Sequence, residues 1–220
     1  MTTILTNIGF SRDSNWSLGY ECTNESIPGI VAGLELKEED RIFAVSGSGD
    51  QAFAMLEYVD FVQAVDHNPM QVNYAQKRVR QIRDGDFEGF YKVGYMWEGT
   101  RFAVARRNYF TEERLRRVSD RLDRLVITEA NIFDICSKEG KFNKFYFSNT
   151  FFFFQSTTFF TSLVVAQPIG GLIYAAFNPY TVSIPIPGLI VDPLLTHRVR
   201  EIEISTRYGW RPTILRRVAE

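Results

Sequence analysis

The chain has 220 residues, 45% hydrophobic and 23% charged, a composition that suits one soluble domain able to bury its own core and that excludes disordered and collagen-like readings. Its 25 basic and 26 acidic side chains leave a formal charge of −1, too little to hold a phosphate backbone or an anionic membrane, so no nucleic-acid partner is expected. Two histidines and two cysteines are too few and too scattered for a structural zinc site, so no metal is expected, whereas 19 phenylalanines, 10 tyrosines and 3 tryptophans form an excess that needs a reason.

The first ten residues have neither a basic nor an apolar region of the secretory kind, and the chain reads as cytoplasmic. An aromatic segment with Trp16 and Tyr20 precedes a helix predicted over 25–36; it is placed to close over a cleft or to pack on a sheet. Short apolar runs then alternate with segments of helical period, the pattern of parallel strands crossed over by helices. Strands are predicted over 41–45, 61–65, 125–128, 142–147 and 171–177, and helices over 50–58, from Pro69 onward, over 87–124, and over 156–165. Leu115, Val118, Leu122 and Leu125 make an apolar stripe that reads as core contact. The most apolar stretch, 163–177, is too short and too interrupted by Gln167, Pro168, Gly170 and Gly171 to span a bilayer. Residues 178–193 hold four prolines and read as an irregular loop, and 201–206 with 210–218 read as a closing antiparallel hairpin. Five parallel strands followed by an antiparallel pair, in one domain, is the layout of class I S-adenosylmethionine (SAM) methyltransferase-like α/β domains.

In doubly wound sheets a ligand sits outside the carboxyl ends of the strands, where a glycine-rich first turn lets backbone approach it. Ser46, Gly47, Ser48 and Gly49 stand there; alone they read equally as a cradle or a bland turn. Asp66 ends the second strand roughly 20 residues on, where a carboxylate can accept from both hydroxyls of a ribose. Its other reading, a helix cap, loses ground because Asn68 stands before Pro69 and can cap instead. After the third strand, Asn131 is placed to reach the polar edge of an adenine with Ile132 and Phe133 against its ring, or the segment is only a capped turn. The fourth strand runs into Ser148, Asn149, Thr150 and the phenylalanines 151–154.

The segment Ala64-Val65-Asp66-His67-Asn68-Pro69-Met70-Gln71 resembles the Ala-Val-Asp-x-Asn-Pro-x-Gln segment of the SAM-dependent 3-amino-3-carboxypropyl transferases of the betaine-lipid synthase type. Residues 46–56 lie over that family's Ser-Ala-Gly-Cys-Asn loop and helix, with Gly47, Gly49 and Asp50 in the Ala, Cys and Asn places. Lys77, Phe90-Tyr91-Lys92-Val93-Gly94 and Ser148-Asn149 match its lysine, its aromatic-Gly segment and its Ser-Asn. The likeness covers residues 21–177. The lipid enzymes are considerably longer, with no counterpart here to the sections that would host a diacylglycerol, whereas small azetidine-2-carboxylate synthases are similar in size and plan.

The resemblance implies SAM as donor or substrate, a small-molecule acceptor, and attack at the γ-carbon of the methionyl chain with release of methylthioadenosine. Ordinary methyltransferases of this fold have an acidic residue where this chain has Val45; a carboxylate there would keep the methionyl amine protonated, and its loss permits the amine to react. Asp50 and Glu21 are the residues that could supply the charge instead. By role, Ser46, Gly47, Ser48, Gly49 and Asp50 hold the methionyl part, Asp66 the ribose with His67 beside it, and Asn131 and Ile132 the adenine. Ser148 and Asn149 orient the amino-acid end, and Tyr20, Glu21, Phe151 and Asn178 form wall and lid. Tyr174 and Tyr180 are lesser candidates for the acceptor side. Cys136 reads as a small buried hydrophobe, and His67 as a residue without an acid–base role. Two histidines give no Ser-His-Asp or Cys-His arrangement, and Ala52 in the third place weakens a nicotinamide-binding Gly-x-Gly-x-x-Gly. Methyl transfer to a small molecule and a non-catalytic SAM-binding protein stay as alternatives, and a homodimer is left open.

Overall fold

A computed structural model describes residues 17–132, 141–150, 163, 166–177, 186–206 and 209–219. Its strands are β1 (Arg41–Val45), β2 (Phe61–Asp66), β3 (Leu125–Glu129), β4 (Lys144–Ser148), β5 (Leu172–Phe177), β6 (Leu189–Val191) and β7 (Arg211–Arg217). Its helices are α1 (Ile27–Leu34), α2 (Asp50–Leu56), α3 (Pro69–Arg83), α4 (Phe87–Tyr91), α5 (Arg101–Tyr109), α6 (Glu112–Ser119) and α7 (Pro193–Thr206). The strands form one sheet in the order β3-β2-β1-β4-β5-β7-β6, parallel through β5, with β7 antiparallel to both of its neighbours.

The strands are continuous apolar runs because both faces of the sheet are covered. Ile42, Ala44, Val62, Ala64 and Tyr146 face the layer that holds α1, α2 and α3, while Phe43, Val65, Phe145 and Phe147 face a second core with Phe142, Ile173 and Leu215. Part of the aromatic excess is here: Phe43, Phe61, Phe142, Phe145 and Phe147 form a chain of ring contacts 5.4 to 6.5 Å apart.

Two expectations from periodicity are corrected. The 201–206 segment is the end of α7, not a strand, and the hairpin is formed by β6 with β7. Glu-Ile-Glu-Ile alternates like a strand, but Asp192 accepts from the Leu195 amide (3.0 Å) and Pro193 follows, a capped helix start, after which Leu195, Val199 and Glu203 bury one stripe. The 87–124 helical reading divides into α4, α5, α6 and a short 3-10 turn. Gly99 has φ +71, and the hydroxyls of Thr100 and Thr111 each cap a new helix at 3.3 Å, so the chain turns between helices of similar period. The 156–165 helix lies mostly outside the described residues.

Candidate functional site

Strand order reverses between β1 and β4, and a cleft of about 350 Å³ opens over the carboxyl ends of β1, β2, β3 and β4. The turn after β1 forms its first wall. Gly47 has φ +48, and no atom lies within 4 Å of where a Cβ would stand, so the backbone presents an open face to the cleft. Gly49, at φ +86, has a second reason to be glycine: a Cβ there would stand 2.9 Å from the Phe53 ring. Gly47 and Ser48 line the cleft, whereas Ser46 and Gly49 lie behind them.

Asp66 lies at the end of β2. Its Oδ2 accepts from the Gly47 amide (3.1 Å) and its Oδ1 from the Asn68 amide (3.0 Å), while burial pushes the carboxyl above its usual range. A carboxylate has about four acceptor positions, and the His67 amide also donates to this one, so capacity for a ligand hydroxyl remains. Beside it stand His67, then Ala130, Asn131 and Ile132 from the end of β3, with Val45 and Val65 as apolar neighbours.

The next wall is the segment 17–24, held down by one face of α3. Gln71 Oε1 accepts from the amides of Gly19 and Tyr20, both at 3.1 Å, and its Nε2 donates to the Tyr20 carbonyl at 2.5 Å. The Asn68 side chain, which also caps α3 through the Met70 amide, donates to Ser17 O at 2.9 Å. Tyr74 and Arg78 both donate to the Glu21 carbonyl. Tyr20 lines the cleft and packs on Trp97, with ring centroids 6.4 Å apart. The Glu21 side chain turns the other way and accepts from the Gly94 amide, which explains the glycine: a Cβ there would stand 2.5 Å from Glu21 Oε1.

The last wall is the end of β4. The pairing of β4 with β5 shifts between Tyr146 and Ser148, and Ser148 adopts φ +52, a left-handed conformation that costs a serine of order 1 kcal/mol. The turn brings Ser148, Asn149 and Thr150 to the cleft. The Ser148 hydroxyl donates to Glu25, a carboxylate with no solvent exposure, and burial pushes that carboxyl up to about 7. Gln51, beside it, donates to Thr23 Oγ1 (2.8 Å) and Tyr146 Oη (3.1 Å).

Not every residue expected at the site lies on the cleft. Asp50 is wholly buried and forms ion pairs with Arg78 and Arg106, each at 2.8 Å, while accepting from the Thr23 amide and the Ser48 hydroxyl. Lys77 is exposed on α3, and the Tyr174 hydroxyl is buried below the cleft. Phe133, Cys136, Phe151, Asn178 and Tyr180 lie outside the described residues. Thr23, Gln51, Gln71 and Tyr146 line the cleft without having been expected there. Only Gln71 had a local signal, as the last residue of Asp-x-Asn-Pro-x-Gln.

SAM would fit the donors present. Asp66 keeps acceptor capacity, Gly47 leaves room for close approach, and two buried oxygens beside the cleft, Gln51 Oε1 and Glu25 Oε2, have no hydrogen-bond partner among the described residues. Within those residues no three His, Cys, Asp or Glu side chains are grouped to hold a metal, and no helix is long and apolar enough to cross a membrane.

No protein-family model matches this chain, and no curated protein does. Solved structures do match. The [4+2]-cyclase SpnF superposes with a TM-score of 0.52 at 9% identity, over 88% of this chain and 80% of its own. TrmN from Thermus thermophilus gives a TM-score of 0.53 at 11% identity, over 92% of this chain and 51% of its own. The geranyl diphosphate C-methyltransferase of Streptomyces coelicolor, solved with S-adenosyl-L-homocysteine, gives 0.45 at 12%, over 82% and 52%. The chain thus spans about half the length of the last two. With its strand order and cleft, the likeness to the first two establishes a class I methyltransferase-like α/β fold.

Proposed function

We propose that the chain is a SAM-dependent enzyme that breaks the Cγ–S bond of SAM and releases methylthioadenosine. It either closes the methionyl chain on its own amine, giving azetidine-2-carboxylate, or transfers the 3-amino-3-carboxypropyl group to a small nucleophile. In either case a nucleophile forms a bond to Cγ and the C–S electron pair stays on sulfur. The sulfonium is already an activated leaving group, so the residues are asked mainly for geometry, which can be worth roughly 7–11 kcal/mol against about 0.5–2 kcal/mol for a cation over an aromatic ring.

One observation carries the reading. The cleft wall at the end of β1 is Val45, and the two carboxylates able to stand in for an acidic residue there are engaged elsewhere, Asp50 with two arginines and Glu21 with Gly94. A permanently ionised partner that would hold the amine as a spectator is thereby missing from the first turn. The remaining roles follow from position. Gly47 and Ser48 hold the methionyl part, Asp66 takes the ribose hydroxyls, Asn131 and Ile132 border adenine, and Ser148 and Asn149 orient the amino-acid end under the Tyr20 wall.

The test is product analysis of purified protein incubated with SAM alone and then with candidate amines. Methylthioadenosine with azetidine-2-carboxylate is expected for cyclisation, and methylthioadenosine with an acceptor adduct for transfer. S-adenosylhomocysteine as the sole nucleoside product would overturn the proposal in favour of methyl transfer.

A further inference from the structure

Below the cleft floor lies a polar cluster that the roles above leave unused. Glu25 stands just before the N-cap of α1, Glu203 comes from α7, Tyr146 from β4, Tyr174 from β5 and Gln51 from α2, all buried. Glu203 Oε1 accepts from the Ser26 amide (3.0 Å), and the Ser148 hydroxyl donates to Glu25 Oε1. The second oxygen of each carboxylate, and the Tyr174 hydroxyl, have no hydrogen-bond partner among the described residues. Among the described residues no arginine, lysine or histidine forms an ion pair with either carboxylate, in contrast to Asp50, Glu57 and Asp40, whose buried carboxylates all have cations. Two buried carboxylates without a cation are costly unless protonated or matched by a ligand's charge.

Resting on the reading that the cleft takes SAM and closes its methionyl chain on its own amine, we propose that Glu25, acting through the Ser148 hydroxyl, accepts a proton from the ligand's α-ammonium and so makes the amine a nucleophile. Ser148 lines the cleft and touches Glu25, and a hydroxyl can accept from an ammonium while donating to a carboxylate. The ammonium gives one proton to Ser148 as Ser148 gives its own to Glu25. The freed nitrogen lone pair then attacks Cγ, the C–S pair leaves on sulfur, the ring nitrogen emerges as a secondary ammonium, and Glu25 returns its proton to water. Glu25 is thus a positioning residue reaching the substrate through another. It differs from a permanent counter-ion because burial, reinforced by Glu203, holds its carboxyl at about 7, near the operating pH at which a base works best. The titratable groups facing it are Glu203, whose own carboxyl burial raises to about 7, and the Tyr146 and Tyr174 hydroxyls, which burial raises well beyond their usual range.

The test is the number of protons released when the full chain binds S-adenosylhomocysteine, measured by calorimetry in buffers of different ionisation enthalpy. Free protein at about pH 6 holds a proton on Glu25 that the arriving ammonium displaces, so about one proton per ligand is released; at about pH 8 the carboxylate is already ionised and release falls to near zero. Methylthioadenosine, which lacks the amine, releases none. Glu25→Gln abolishes the release, Ser148→Ala abolishes it with the carboxyl intact, and Glu203→Gln keeps it. A proton-silent unaltered chain at about pH 6, or release that survives Glu25→Gln, overturns the role of Glu25. If Glu25→Gln does not fold, Ser148→Ala decides: retained release overturns the relay. Methylthioadenosine production without proton linkage leaves the Cγ–S reading standing and removes Glu25. Proton linkage without methylthioadenosine overturns both, since the amine then makes no attack at Cγ, and failure to bind S-adenosylhomocysteine overturns the reading of the cleft as a SAM site.

Discussion

Asp66 shows how a residue's place in the chain and its chemistry coincide. A carboxylate at the end of the second parallel strand was legible because strand ends follow from apolar run length and the adjoining Asn68-Pro69 supplies the cap. Its double engagement with Gly47 and Asn68 adds that the group is preset before a ligand arrives. Asp66→Ala is expected to weaken SAM binding by about 1.5–3 kcal/mol, roughly 10- to 100-fold in Kd, the worth of hydrogen bonds to a charged group. Equilibrium binding of SAM or S-adenosylhomocysteine checks this, and unchanged affinity would remove the ribose from Asp66. Asp50 is the opposite case. Its position at the start of the helix after the first turn suggested a ligand contact, yet its partners Arg78 and Arg106 lie far along the chain, where no local pattern points to them.

At the scale of elements, α3 does more than cross over from β2. Asn68, Gln71, Tyr74 and Arg78 recur at helical spacing, so one face presents four side chains in a row, and each holds the backbone of 17–21. The spacing of Asn68 and Gln71 in the Asp-x-Asn-Pro-x-Gln segment therefore has a mechanical meaning here: it secures the cleft wall that carries Tyr20. Gln71→Ala removes three hydrogen bonds to Gly19 and Tyr20, and local opening of that wall should become easier by about 1–3 kcal/mol. Hydrogen exchange should show it as faster exchange of the Gly19 and Tyr20 amides, with the β1 and β2 core amides unchanged. Equal protection in the variant would show that the wall is held by something else. The sequence had marked the segment only as aromatic, because a side chain that pairs with backbone across some fifty positions leaves no periodicity to read.

For the whole molecule, Asp50 with Arg78 and Arg106 is the junction where α2, α3 and α5 meet, and both guanidiniums stack on Phe90 at 4.3 Å. Asp50→Ala leaves two buried cations without their partner and should destabilise the fold by about 3–5 kcal/mol, seen as a lower denaturant midpoint. Loss of under 1 kcal/mol would mean that the arginines find water or another acceptor. By itself, the sequence determined the parallel strands, the cleft at their ends, and the places of Asp66 after the second strand and Ser148-Asn149 after the fourth, because run length and caps act over a few neighbours. Only the tertiary structure decided that α7 is helical where alternation suggested a strand, that Asp50 and Glu21 face away from the cleft, and that Glu25 is buried without a cation among the described residues. Those outcomes depend on which distant groups share a buried space, and burial sets the electrostatic cost that decides whether a carboxylate is a strut, a spectator or a base.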